Sequence, residues 1–140
     1  MGWTEDGLYS VLASDRWAEA VAAGADPDEA MDRLSDDEWL AAMRAHPRIG
    51  ERGGPASSER EQSRAMEASD ETKAALATEN RRYEQKFGHV FLISASGRSG
   101  EEILAELRRR MSNEPAMELE EAKRELRKIA HLRLERLQAP

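Results

Sequence analysis

The amino-acid sequence predicts an all-α protein, a single compact multi-helix domain covering residues 1–140. Two patterns carry that expectation. Apolar residues recur three or four apart along most of the chain, the spacing that lines one face of a helix, and alternating strand-like runs are nearly absent. Three Ser/Glu pairs, Ser35 with Glu38, Ser58 with Glu61 and Ser99 with Glu102, have the spacing of a capping box, in which each side chain satisfies a backbone N–H at a helix start. A length of 140 residues, 39% of them hydrophobic, fits one core better than two.

The elements follow in order. Leu8, Val11 and Leu12, then Trp17, Val21 and Ala22, mark a first helical region ending near Gly24, with a short break at Asp26 and Pro27. Ser35 and Glu38 open a helix whose apolar face is Trp39, Leu40 and Met43, and which stops at His46 because Pro47 follows. The stretch PRIGERGGP, residues 47–55, holds three glycines and two prolines in nine positions and is expected to be a loop. Ser58 and Glu61 open a polar helix through Met66, and a break falls near Ser69 and Asp70. Leu76, Tyr83 and Phe87 then lie on a helix ended by Gly88. VFLI, residues 90–93, is too short for an independent sheet and is expected to be a buried extended segment, followed by a turn. Ser99 and Glu102 start the next helix, with Ile103, Leu104, Leu107 and Met111 facing inward and Asn113 to Pro115 ending it. A last helix runs from about Glu118 to Leu137, its stripe being Leu119, Ala122, Leu126, Ile129, Ala130, Leu134 and Leu137, with Glu121, Lys123, Arg124 and Glu125 on the wetter side.

Composition removes several classes of function. The chain has no cysteine, which excludes a disulfide framework, a Cys-ligated metal and a thiol nucleophile. His46, His89 and His131 are too far apart for a local metal motif, so no metal is expected. With 21 basic against 28 acidic residues the formal net charge is −7, and arginines alternate with glutamates along the helices. A phosphate backbone would meet net repulsion, which argues against nucleic acid. No apolar run approaches the roughly 20 residues that span a bilayer, and the opening MGWTEDGLYS has neither a basic end nor an apolar centre. The expectation is a cytoplasmic protein without a membrane partner.

Three places can carry chemistry. His46 sits where an apolar helix meets the Gly/Pro loop, and an imidazole, with a reference pKa of about 6.5, moves protons near neutrality; it equally serves as a helix terminator. Ser58 and Glu61 can contact a substrate or simply start a helix, while Gln62 adds an amide beside them and the positive end of that helix suits an anion. Arg133 lies four after Ile129 and seven after Leu126, near the apolar stripe, where a guanidinium needs a carboxylate, a path to solvent or a bound anion.

Taken together and in order, these segments resemble the 2-oxo-4-hydroxy-4-carboxy-5-ureidoimidazoline (OHCU) decarboxylase family of small all-helical enzymes. The resemblance is carried by AHPRIG at 45–50, SEREQ at 58–62, YEQKFGHVFLISASGRS at 83–99 and ELRKIAHLRLERL at 125–137, with WAEA at 17–20. It implies cofactor-independent decarboxylation of a small anionic substrate to (S)-allantoin in urate (purine) catabolism, by a homodimer with one active-site cleft per chain. His46 matches the family's catalytic histidine and Pro47 the proline beside it. Glu61 matches the acidic residue paired with that histidine, and Ser58 and Gln62 its substrate-contacting neighbours. Ile93, Ser94, Ala95, Ser96 and Gly97 match the segment whose backbone lines the substrate, and Arg133 the late arginine of the same pocket. The stretch between Trp17 and Ser35 departs from the family, being short and lacking an RPF-like segment. The rival classes are a non-enzymatic helical interaction module, with His46 only a terminator, and a lyase acting on another small hydroxy acid.

Overall fold

The computed structural model describes residues 3–46 and 67–138. Among them are seven α-helices and no strand: α1 (Glu5–Val11), α2 (Asp15–Ala22), α3 (Pro27–Asp32), α4 (Asp36–Arg44), α5 (Asp70–Phe87), α6 (Gly100–Arg110) and α7 (Pro115–Gln138). The all-α expectation is met. No helix among the described residues is long and apolar enough to cross a membrane. The expected loop at 47–55 and the capping box of Ser58 and Glu61 lie outside the described residues. The chain forms two compact units, one of Met1–Ala45 with Arg127–Pro140 and one of His46–Leu126, so α7 contributes its first half to the second unit and its second half to the first.

In the first unit every short helix has its own cap. Thr4 accepts the Gly7 N–H at 3.0 Å, Ser14 that of Trp17 at 3.2 Å and Asp26 that of Glu29 at 3.1 Å, each satisfying a donor that the helix leaves open. The first helical region is therefore two helices: Leu12 leaves the helical conformation (φ −141°, ψ 119°) and Ser14 restarts it. The break expected at Asp26 and Pro27 is likewise a start, because Pro27 occupies the first turn of α3, where its fixed φ suits the helix and its missing N–H costs nothing. Trp17 is fully buried and donates its indole N–H to Pro27 O at 3.0 Å, joining α2 to the beginning of α3. The capping box of Ser35 and Glu38 is present on α4, which buries Trp39, Ala42 and Met43. On α7 the stripe Ile129, Ala130 and Leu134 is buried, but Leu137 keeps 39% of its surface exposed. It lies over Gly7 in α1, which offers no side chain to cover it.

Asp28, at the start of α3, gathers the charges on this unit. Its Oδ1 accepts from His131 Nε2 at 2.8 Å and from Arg127 Nη1 at 3.1 Å, and Arg127 also reaches Asp32 at 2.8 Å. The His131 hydrogen bond, and after it Arg127, holds the Asp28 carboxyl below the usual range against the opposing cost of burial. Its folded pKa is thus lower than that of the unfolded chain, about 3.9. The stabilisation is complete above that value and disappears as the carboxyl protonates at lower pH. The side chain is half exposed, so it is worth roughly 0.2–1 kcal/mol. Asp28→Asn should lose that amount at neutral pH, and its urea-unfolding difference from wild type should close below about pH 4.

In the second unit, Ser69 caps α5 by accepting the Thr72 N–H at 3.1 Å. Gly88 ends the helix in the left-handed conformation, φ +79°, donating to Glu84 O at 2.9 Å; a Cβ there would be strained. The capping box of Ser99 and Glu102 starts α6, which packs against α5. Leu76 and Tyr83 of α5, Phe91, Ile93 and Ala95 of the connecting segment, and Ile103, Leu104 and Leu107 of α6 form a continuous buried cluster. Phe91, Leu92 and Ile93 of VFLI are thus buried, in a segment that belongs to no helix or strand. Its Phe91 ring meets Tyr83 edge to face at 5.2 Å and is covered by the Arg110 guanidinium at 4.6 Å.

Candidate active site

His46 comes two residues after the last residue of α4 and is half-buried. The end of that helix is closed by Ala45, whose N–H donates to Ala42 O at 3.2 Å. Pro47, Ser58, Glu61 and Gln62 lie outside the described residues. Arg133 is on the second half of α7, 8% exposed, and its Nη1 donates to Ser10 O at 3.3 Å. The sequence placed this guanidinium near the apolar stripe, and it is indeed among the buried groups of the first unit. His46 and residues 93–97 belong to the second unit.

Residues 93–97 connect α5 to α6. Ile93 and Ala95 are buried in the core, Ser94 is half-buried, and Ser96 and Gly97 are exposed. The main chain of Ser94 is held from both directions: its N–H donates to Glu125 Oε1 at 2.9 Å, and its carbonyl accepts from Arg98 Nε at 3.0 Å. Two residues back, Leu92 O accepts from Arg110 Nη1 at 2.6 Å. The segment then turns, Arg98 N–H bonding to Ala95 O at 3.0 Å with Gly97 at φ +76°. Only glycine takes that conformation without strain.

Next to this segment is a buried polar network that joins α5, α6 and α7. Glu118 is 0% exposed and Arg110 2%. The Glu118 carboxylate accepts from Arg110 Nε at 2.8 Å, from Asn113 Nδ2 at 3.0 Å, and from Arg110 Nη2 and the Tyr83 hydroxyl. Burial first, and then the bond to Glu118, pushes the Tyr83 phenol far above its ordinary range, so it acts only as a donor. Burial opposes the charge on Arg110, but Glu118 outweighs it and the guanidinium stays ionised. One signal for this cluster was present: Arg110 lies seven after Ile103 and three after Leu107, on the inward face of α6. Periodicity puts Glu125 on the wetter side of α7, although it lies seven after Glu118 and four before Ile129, at the edge of the stripe.

The family model of OHCU decarboxylase matches residues 5–135, nearly the whole chain and both compact units. The chain belongs to the OHCU decarboxylase family. Relatives of this family member agree. It is 40% identical over 108 residues to the uric acid degradation bifunctional protein TTL of Arabidopsis thaliana, a match covering 71% of this chain but only 33% of that protein. It is 30% identical over 136 residues to 2-oxo-4-hydroxy-4-carboxy-5-ureidoimidazoline decarboxylase of Mus musculus, covering 89% of this chain and 76% of the relative. Among solved structures, an OHCU decarboxylase crystallised in the presence of (S)-allantoin superposes with a TM-score of 0.80 at 33% identity, covering 94% of this chain and 96% of the other. The absent RPF-like segment noted between Trp17 and Ser35 therefore does not remove the chain from the family.

Proposed function

We propose that the chain catalyses cofactor-independent decarboxylation of OHCU to (S)-allantoin in urate catabolism, with residues 1–140 acting as one catalytic domain. The observation that carries this is the match to an OHCU decarboxylase structure along 94% of the chain at 33% identity. In OHCU one ring carbon bears both a hydroxyl and a carboxylate, so departure of CO2 leaves an electron pair that the conjugated ring accepts. The protein then has two tasks: to hold the carboxylate bond in line with the π system, and to control where protons leave and arrive.

Each role follows the family position that a residue matches. Glu61 with His46 takes the hydroxyl proton, and His46 delivers a proton to one face of the ring, which sets the product's stereochemistry. Pro47 shapes the pocket beside the imidazole. Ser58, Gln62 and the backbone of Ile93–Gly97 hold the ureido arm and the ring. Arg133 binds a carboxylate or carbonyl oxygen of the anion through its planar fork. A small anionic substrate can bind an acidic protein when such donors converge locally. The same reading makes the protein a cytoplasmic homodimer.

The test is incubation with freshly generated OHCU, following allantoin by chiral chromatography against a protein-free control, since the substrate also decays unaided. Faster formation with excess of the S enantiomer is expected; an unchanged rate and a racemic product would refute the function. Arg133→Lys should raise KM by roughly tenfold with a smaller change in kcat, because a point charge cannot reproduce two parallel N–H bonds. Unaltered KM and kcat would remove Arg133 from the substrate's surroundings.

A further inference from the structure

We propose that Glu125 is a positioning residue, which together with Arg98 and Arg110 fixes the backbone of Ile93–Gly97 for substrate without touching the substrate itself. This rests on the role given above to that backbone. The segment has no helix or sheet ladder to occupy its peptide groups, yet buried main-chain donors and acceptors need partners. Charged side chains supply them: Glu125 Oε1 takes the Ser94 N–H at 2.9 Å, Arg98 Nε gives to Ser94 O at 3.0 Å and Arg110 Nη1 gives to Leu92 O at 2.6 Å. Hydrogen bonds to ionised groups are about twice as strong as neutral ones. Ile93 and Ala95, anchored in the core on either side, leave the Ser94 peptide units little freedom, and the turn at Ser96–Gly97 follows directly from that anchor.

The consequence is catalytic. A backbone group binds a ligand only as well as it points, and misplacement by 1 Å is able to cost about 10²-fold. Glu125 is the member of the trio best suited to substitution. It is half-buried, lies on α7 thirty-one residues from Ser94, and is not one of the groups that bond the buried Glu118 carboxylate, which are Tyr83, Arg110 and Asn113.

The experiment compares Glu125→Ala with Glu125→Gln in the full chain. Glutamine keeps an amide oxygen where the carboxylate oxygen was, so it preserves the acceptor and removes the charge. Glu125→Ala should lower kcat/KM by about ten- to a hundredfold, chiefly through KM, and Glu125→Gln should recover it to within about threefold of wild type. Amide exchange at Ser94, read by NMR, should quicken by at least about tenfold in the alanine variant and not in the glutamine variant. Far-UV helicity should be unchanged in both. The inference is overturned by wild-type kcat and KM in Glu125→Ala, by a glutamine variant no better than alanine, or by unaltered Ser94 exchange. A wild-type chain that fails to accelerate the reaction overturns the function and this inference together, whereas an active wild type with an equally active alanine variant overturns the positioning role alone.

Discussion

His46→Ala is expected to abolish enantioselective (S)-allantoin formation while leaving far-UV helicity at the wild-type level. General acid–base catalysis by one positioned group is worth about 10²- to 10⁴-fold, so the residual rate should approach the unaided decay of the substrate and the product should become racemic. The fold should not follow the activity down. His46 lies beyond the last turn of α4, the helix cap is made by the Ala45 backbone, and the buried face of α4 is Trp39, Ala42 and Met43. His46→Asn separates proton transfer from hydrogen bonding. An amide of similar size donates and accepts hydrogen bonds but does not exchange a proton near neutral pH, so this variant should fail as fully as alanine. Initial rates with fresh substrate, resolved by chiral chromatography, decide the matter. Wild-type turnover in either variant would remove His46 from the catalytic machinery and leave Glu61 with its capping role alone.

The sequence made the helices legible where local chemistry decides them. The capping boxes at Ser35 and Ser99 and the left-handed Gly88 all stand where their spacing predicts, because a cap is a contact between residues three or four apart and needs no tertiary information. The short helices of the first unit were less legible. Asp26 and Pro27 signal a turn and a helix start in the same letters, and α3 is only six residues long, too short for a hydrophobic period to show. The least legible features are those that depend on partners remote in sequence. Tyr83 and Glu118 are 35 residues apart and Ser94 and Glu125 are 31 apart, so a glutamate that a helical wheel assigns to solvent is instead satisfied by a group on another element. Arg133 was legible for the opposite reason, since a charge on an otherwise apolar stripe is conspicuous and the chain supplied Ser10 O as one acceptor. His46 was legible as the end of a helix, and its function only through resemblance.

Glu118→Ala should be the most destabilising single substitution in the second unit, costing about 3–5 kcal/mol. The loss does not measure a favourable salt bridge. Transferring Arg110 and Glu118 out of water is expensive, and their attraction largely repays that cost only because both are fully hydrogen-bonded. Removing the carboxylate leaves the Arg110 guanidinium charged and buried, with Tyr83 and Asn113 deprived of their acceptor in the same step. Arg110→Met should be nearly as costly, since it strands Glu118 and releases Leu92 O. The double variant Arg110→Met with Glu118→Leu leaves neither charge unpaired, and it should be more stable than either single variant. Urea unfolding of the four proteins measures the coupling. Additive losses, or a single loss below about 1 kcal/mol, would show that the two side chains do not act as a unit. In the double variant Leu92 O still lacks its charged donor while the core is intact. Its activity should therefore remain reduced after its stability has recovered, which separates what Arg110 does for the fold from what it does for residues 93–97.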